Sequence, residues 1–457
     1  MPELTEPDVL LTTVGLLSIA ATVGLLIWGK VSPVVAMVVV PLVGALVTGA
    51  SFTDLQEWFD GGLASVMSVV VMFIFAIIYF GILSDAGLFD PVIRGLILAT
   101  RGRVVLVTVG TVLIGAIAHL DGAGATTFLL TIPALLPLYN ALGMSRYLLL
   151  LLLALSASIM NMVPWGGPLA RTATTTGIDP AELYRELLPV QGVAMVLLLC
   201  LAVLLGLREK KRIAAHAGVA AGSGPVDVKQ IAEDFTARQL ASREEVRRDI
   251  AGGRVVYWAN VVLTVALLTV MLGGWLSPAL TFLTGVALAL PLNFRTAKAQ
   301  MDRIKVYAPN ALMMAAVIIA AAVFLGVLRD SGMLESIALS LLAVIPSGVG
   351  SYLHVIVGFL GVPLDIMTST DAYYFSVLPL VDATAGQFGV ATTSTAFALL
   401  LGNIIGTFVS PFSPALWLAL GLAEANMGKH LKYSFFITWG FSIVLLLIAI
   451  LMGVVQV

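Results

Sequence analysis

Apolar residues fall along this chain in blocks of about 20, the helix length that crosses the hydrocarbon core of a bilayer, with polar residues gathered in the short gaps. The blocks predict spans over Val9–Gly29, Val31–Gly49, Leu63–Ser84, Tyr147–Met162 with its continuation, and Leu187–Leu207. A second set follows over Val255–Gly273, Leu276–Phe294, Ala308–Leu328, Thr392–Val409 with its continuation, and Tyr433–Val455. Between the third and fourth block of each half lies a pair of shorter apolar arms, Val104–Ala118 with Thr127–Leu138 and Tyr352–Val362 with Tyr373–Leu380. Arms of about ten to fifteen residues reach roughly halfway across a bilayer, so each pair is predicted to be a re-entrant hairpin. The chain thus divides into a first repeat, 1–207, with hairpin 104–138; a linker, 208–254; and a second repeat, 255–457, with hairpin 352–380.

Composition agrees with this pattern and excludes a soluble domain. Of 457 residues, 60% are hydrophobic and 11% charged, too few polar groups to cover a water-facing surface. The single cysteine, Cys200, permits no disulfide within the chain and no metal site built on thiolates. The segment Met1 to Asp8 carries Glu3, Glu6 and Asp8 and no basic leader, so the first block is read as a retained span. The net charge of −2 carries no information about partners, and no nucleic acid partner is expected.

The placement of charge orients the spans. With the N-terminus outside, the cytoplasmic segments hold Lys30, Arg94, Arg101, Arg103, Arg146, the ten basic residues of the 208–254 linker, Arg295, Lys298, Arg303, Lys305, Lys429 and Lys432, which is 21 of the 24 Lys and Arg. The outer segments hold Arg185 and Arg329 among many acids, so the positive-inside rule favours this orientation, with both termini outside and the linker cytoplasmic. Five crossings per half, an odd number, turn the second half upside down relative to the first. The expected fold class is an all-α polytopic membrane protein, an inverted repeat of two halves with five transmembrane helices and a re-entrant hairpin each. A second match supports the repeat: Phe80 to Leu88 (FGILSDAGL) resembles Leu325 to Met333 (LGVLRDSGM), each opening a moderately apolar arm, Leu88–Thr100 or Leu334–Ile345, suited to lie along the interface. The linker has the Gly-rich stretch Ala221–Pro225 and a charged helical segment, Ile231–Ile250, with Glu245 and Asp249 near Arg248; it is read as a tether between the halves.

Candidate chemistry sits at the hairpin tips and in two broken helices. The first tip reads Leu120-Asp121-Gly122-Ala123-Gly124-Ala125-Thr126-Thr127, and the second reads Leu364-Asp365 and then Thr368-Ser369-Thr370-Asp371. Acids cost about 2.5–3.5 kcal/mol or more at mid-membrane, and chains keep them there to handle a solute. The N-terminus of the returning arm presents unpaired N–H groups and a positive dipole end, which suits an anion. Gly122 and Gly124 allow a tight turn, and Thr126, Thr127, Ser369 and Thr370 can donate hydroxyls to a solute or cap the arm. The fourth span is interrupted by Asn161-Met162-Val163-Pro164-Trp165-Gly166-Gly167-Pro168, and the ninth from Asn403 through Thr407 to Ser410-Pro411-Phe412-Ser413-Pro414. Prolines three or four apart remove helix bonds and free carbonyls at membrane depth. Two tips facing two breaks would enclose one site.

Asp121, Asp365 and Asp371 put acids beside dipoles that prefer anions. The conflict resolves if the acids take protons or face a cation that travels with the anion; oxygen-rich ligands suit Mg²⁺ or Ca²⁺. His119 can carry a proton or hydrogen-bond within the hairpin. Arg171 can clamp a carboxylate, or pair with Asp121 or an outer acid. His354 has no counterpart in the repeat and is read as structural.

At His119 through Thr127, Asn161 through Arg171, and Ser369 through Tyr374 the chain resembles the citrate–divalent-metal:proton symporter family of the ion transporter superfamily. The likeness covers nearly the whole membrane part. It implies proton-driven symport of citrate complexed with a divalent metal, Mg²⁺ or Ca²⁺ as co-substrate with no permanently bound cofactor, in a bacterial-type plasma membrane. It also implies a homodimer whose hairpins and broken helices move against a fixed scaffold, as an elevator. Substrate-binding residues are expected among Gly122, Gly124, Thr126, Thr127, Asn161, Trp165, Gly166, Gly167, Arg171, Ser369, Thr370, Asn403, Thr407, Ser410 and Ser413. Metal is expected at Asp121, Asp365 and Asp371, and the coupling proton at His119, Asp121 or Asp371. Related sodium-coupled dicarboxylate carriers bear Ser-Asn-Thr at both tips, which this chain lacks. The alternative within transport is a proton- or sodium-coupled carrier of free di- or tricarboxylates. No enzyme is expected: no Ser/Lys pair, paired catalytic Asp or His-Glu-x-x-His motif stands out. Asp121→Asn and Asp371→Asn are each expected to reduce coupled transport more than expression, and wild-type uptake in both would remove those acids from the coupling.

Overall fold

The computed structural model describes residues 6–28, 30–216, 227–243 and 253–457. Glu3, Gly29, the Ala221–Pro225 stretch and the cluster of Glu245, Arg248 and Asp249 lie outside the described residues.

Burial and capping make the third span of each half longer than its apolar block. Ser51 and Asp54 form a reciprocal cap, Ser51 Oγ accepting from Asp54 N–H at 3.2 Å and the Asp54 carboxylate from Ser51 N–H at 2.8 Å, so the helix starts at Phe52 and runs 34 residues to Asp85. Thr296 caps its counterpart, Ala297–Asp330, also 34 residues. At 1.5 Å per residue each is about 50 Å long, well beyond a hydrocarbon core of about 30 Å. The two cross where Gly62 meets Gly326. A Cβ on Gly62 would lie 2.4 Å from Ala322 O, and one on Gly326 would lie 2.5 Å from Trp58 O. Membrane helices gain little from hydrophobicity against one another, so close backbone approach at small residues supplies the packing.

All the regular elements among the described residues are helices. Val9–Trp28, Pro33–Val47, Phe52–Asp85 and Asp90–Ala99 are followed by Val104–Ala118, a 3₁₀ turn at His119–Asp121, and Gly124–Ala141. Then come Arg146–Met160, Gly167–Thr176 and Pro180–His216. In the second half the order is Arg254–Leu272, Pro278–Asn293, Ala297–Asp330 and Met333–Leu342, then Leu353–Phe359 with Gly361–Met367, a turn at Thr370–Ala372, a π-helical stretch Tyr373–Val377, and Leu378–Gly386. Thr392–Ile404, Pro414–Leu422 and Met427–Leu451 complete it.

Seven of the described helices are long and apolar enough to cross a membrane, so this is an integral membrane protein. They include Val104–Asp121, a segment the apolar pattern assigned to a hairpin arm. Pro33–Val47, Arg146–Met160 and Pro278–Asn293, parts of expected full spans, are shorter. Arg146–Met160 and Thr392–Ile404 are buried on every side, from Leu148 to Ile159 and from Ser394 to Ile404. A helix apolar all round belongs inside the protein, and these two lie in the layer that carries the hairpins.

The linker is more than a tether where it is described. Asp227 caps a helix, Val228–Ser242, by accepting from Lys229 and Gln230 N–H at 3.0 Å. That helix packs on Asp90–Ala99 and on Gly124–Ala141, burying Ala232 and Phe235, and Arg243 forms an ion pair with Asp90.

Gly326→Ala is expected to destabilise the protein by ~1–3 kcal/mol through overpacking of the long-helix crossing. Gly440→Ala, which has open space around it, leaves stability unchanged or better. Thermal unfolding midpoints in detergent check both.

Candidate functional site

Each broken helix holds the hairpin of its own half by several hydrogen bonds. In the first half, Arg146–Met160 stops at Asn161, the chain turns through Met162 to Gly166, and a new helix opens at Gly167 with Pro168 in its first turn. Proline fits that position because its missing N–H is one the first turn cannot use. The turn aims Asn161 and Trp165 at the tip. His119, with no exposed surface, lies between Thr127 (Nδ1 to Oγ1, 2.7 Å) and Asn161 (Nε2 to Oδ1, 2.9 Å). Trp165 Nε1 donates to Leu120 O at 2.8 Å. Both ring nitrogens of His119 are therefore engaged within the fold, the structural alternative for this residue.

In the second half Thr392–Ile404 ends, the chain turns through Gly406 to Ser413, and Pro414–Leu422 begins. Asn403 Nδ2 donates to Asp365 Oδ1 at 3.1 Å, and Ser410 Oγ donates to Asp365 O at 2.6 Å. Thr370 Oγ1 reaches the same carboxylate oxygen at 3.5 Å. The first arm of this hairpin continues helically to Met367, so Asp365 lies on the arm, fully buried, and the tip is at Thr368 and Ser369. Ser369 caps the return, accepting from Ala372 N–H at 3.1 Å. Asp365 Oδ2, Asn403 Oδ1 and Thr407 Oγ1 are buried without a partner among the described residues.

Both tips and both breaks converge on one cleft of about 240 Å³. Gly122 and Gly124 line it from the first tip; Asn161, Gly167 and Arg171 from the first break. Ser369, Thr370 and Asp371 line it from the second tip; Thr407 and Ser413 from the second break. Gly122 has φ +71°, the left-handed region that favours glycine, and a Cβ there would come 3.0 Å from Trp165 O. A Cβ on Gly124 would come 2.3 Å from the Phe408 ring, so the first tip also seats against the second break. The halves are joined across the cleft by Arg171 Nε donating to Asp371 Oδ1 at 2.7 Å, and nearby by Thr175 Oγ1 donating to Tyr374 O at 2.8 Å.

Other expected residues take different places. Thr127, Trp165, Gly166, Asn403, Ser410 and Asp365 do not line the cleft; Trp165, Asn403, Ser410 and Asp365 hold tips and breaks together, Thr127 bonds within its hairpin and Gly166 packs within its break. Asp121 accepts from Ala123 N–H at 2.9 Å and from the Thr126 hydroxyl, closing its own turn. Asp121 and Thr126 line a separate cavity of about 420 Å³ that also takes in Asp85, Gln239 and Arg243. No group of three His, Cys, Asp or Glu among the described residues is arranged to hold a metal ion. His354 Nε2 contacts Gln456 O at 2.8 Å, far along the chain from either tip. Sequence reasoning missed Met314, Pro168, Phe408, Phe412 and Pro414 as cleft-lining residues. Phe408 and Phe412 lie inside the second break and carried that positional signal; Met314, in the middle of the long Ala297–Asp330 helix, carried none.

The fold and the sequence both have relatives. Over 88% of each chain it superposes on the crystal structure of the Alcanivorax borkumensis YdaH transporter with a TM-score of 0.52 at 17% identity, a likeness of fold. It is 32% identical over 447 residues to the "Citrate transporter" of Bacillus subtilis (strain 168), covering 98% of this chain and 100% of that protein. It is 31% identical over 450 residues to the "Mg(2+)/citrate complex secondary transporter" of the same organism, with the same coverage. The family model described as "Citrate transporter" (CitMHS) matches residues 23–402. The protein is a transporter and no enzyme, and its chain belongs to the CitMHS citrate transporter family.

Proposed function

We propose that this protein carries citrate as its complex with a divalent metal ion, together with protons, by secondary active transport. The observation that carries the reading is the convergence of two tips and two breaks on one cleft holding a guanidinium and a carboxylate. Citrate carboxylates would take Arg171, the Ser369, Thr370 and Thr407 hydroxyls, and backbone N–H groups at Gly124 and Gly167, where helices begin. The metal, as cargo, would face Asp371. A relative named for the Mg²⁺/citrate complex at 31% identity supports the metal. Chelation also leaves a monoanion in place of a trianion, which is far less costly to bring into a low-dielectric barrier.

The coupling proton is assigned to Asp365 in preference to His119, Asp121 or Asp371. Asp365 Oδ2 is buried without a partner among the described residues, and a proton there would neutralise the carboxylate whose other oxygen accepts from Asn403 and Thr370. Gly406 lies close by, a Cβ there falling 3.3 Å from Oδ2, so the second break would sense the charge of the hairpin it grips. The matched element order of the halves and their charge bias support an inverted repeat. In that arrangement hairpins and breaks would move as one body against the long crossed helices, in a homodimer.

Purified protein in liposomes tests the reading, with citrate, Mg²⁺ and the pH gradient varied independently. Expected is uptake that needs the divalent ion and rises when the outside is made more acidic than the inside; equal uptake of citrate with the metal chelated sinks the metal assignment. Asp365→Asn is expected to keep exchange of labelled for unlabelled metal–citrate while losing the response to the pH gradient. A wild-type pH response in that variant moves the proton elsewhere.

A further inference from the structure

We propose that the Arg171–Asp371 ion pair is the selectivity element of the cleft, admitting a metal–carboxylate complex and rejecting both the free polyanion and the bare cation. The inference rests on metal–citrate being the cargo and goes on to say which groups recognise the complex as such.

Arg171 is the one cationic side chain and Asp371 the one acidic side chain among the described residues lining the cleft. They come from opposite halves, 200 positions apart, and meet at 2.7 Å with side chains only 14% and 16% exposed. With so little of either side chain exposed, solvent screens these charges less than it would a surface pair. Asp371 takes Nε, and the absence of a side chain at Gly167 leaves room for the fork, since a Cβ there would fall 2.8 Å from Nη1. Nη1 and Nη2 make no hydrogen bond among the described residues, which leaves the bidentate edge of the fork for a carboxylate.

Such a pair reads two charges at once. Free citrate is drawn to Arg171, but its remaining carboxylates are brought against the like charge of Asp371 in a site where both are mostly buried. A bare divalent cation is drawn to Asp371 and repelled by Arg171 in the same way. A metal–citrate complex presents a carboxylate on one side and a metal on the other. The carboxylate takes the free edge of the guanidinium while the metal takes Asp371, so each charge of the pair gains a partner of opposite sign and none is stranded. Rejection of the wrong partners comes from like-charge repulsion, a route to specificity that needs no extra contacts with the right one.

Isothermal titration of the purified full-length protein tests this, using citrate with excess Mg²⁺, citrate with excess EDTA, and Mg²⁺ alone. The wild type is expected to prefer complexed over free citrate. Asp371→Asn should shrink that preference by at least about tenfold, or 1.4 kcal/mol, with free citrate binding more tightly than to the wild type. Asp371→Glu should restore most of the preference. Arg171→Gln should bind Mg²⁺ alone, which the wild type does not, and it decides the matter if Asp371→Asn fails to fold. An unchanged preference in folded Asp371→Asn, or no gain of Mg²⁺ binding in Arg171→Gln, overturns the proposal. A wild type that binds neither form of citrate overturns the cargo assignment instead, a result separate from either.

Discussion

Asn161 and Asn403, each at the point where a helix stops inside the protein, hold the two hairpins by hydrogen bonds to a fully buried His119 and a fully buried Asp365. Everything else at the cleft depends on those contacts. A chain that interrupts helices within a bilayer must pair its freed polar groups inside the protein, because lipid offers no donors or acceptors. Here each break finds partners in the hairpin of its own half, and Ile405 O accepts a further bond from Ser158 of the other half. Trp165 to Leu120 and Ser410 to Asp365 supply a second bond on each side. Tip and break are thereby locked as one unit, and losing either partner would leave a buried polar group unsatisfied, at roughly 1–3 kcal/mol each.

The two units are not mirror copies in chemistry. The first is centred on an imidazole with both nitrogens occupied, the second on a carboxylate with one oxygen unpartnered. The tips differ in backbone as well, the first turning through a 3₁₀ segment and Gly122 at φ +71° and the second through extended Thr368 and Ser369. Between them the Arg171–Asp371 pair crosses from one half to the other. Its attraction links the new helix of the first break directly to the second tip, so a solute that disturbs the pair acts on both halves together.

Around this centre the packing is of another kind. The two 34-residue helices approach through glycines, backbone on backbone, without buried polar groups at the crossing. The linker helix adds a third contact by resting on both the Asp90–Ala99 arm and the Gly124–Ala141 arm, with Arg243 paired to Asp90. A segment between the halves thus touches an arm next to the long helices and an arm of the first hairpin. Relative movement of those two would have to carry the linker helix along or detach it.

Period and composition by themselves determined that the chain is helical, membrane-embedded and broken at two matched places. Blocks of apolar residues and runs of proline and glycine act locally, through helix length and lost backbone bonds. That Gly122 and Gly124 stand at a turn was legible for that reason. Helix ends were less so: Ser51 with Asp54, and Thr296, add about a dozen residues to the long helices through capping that an apolar count overlooks. Only the tertiary structure decided that Asp121 turns to close its own loop, that Asp365 is gripped by Asn403, and that Arg171 meets Asp371 rather than Asp121 or an outer acid. Which acid a buried cation finds depends on how two distant halves pack, and residues 200 positions apart share no local pattern from which that meeting could be read.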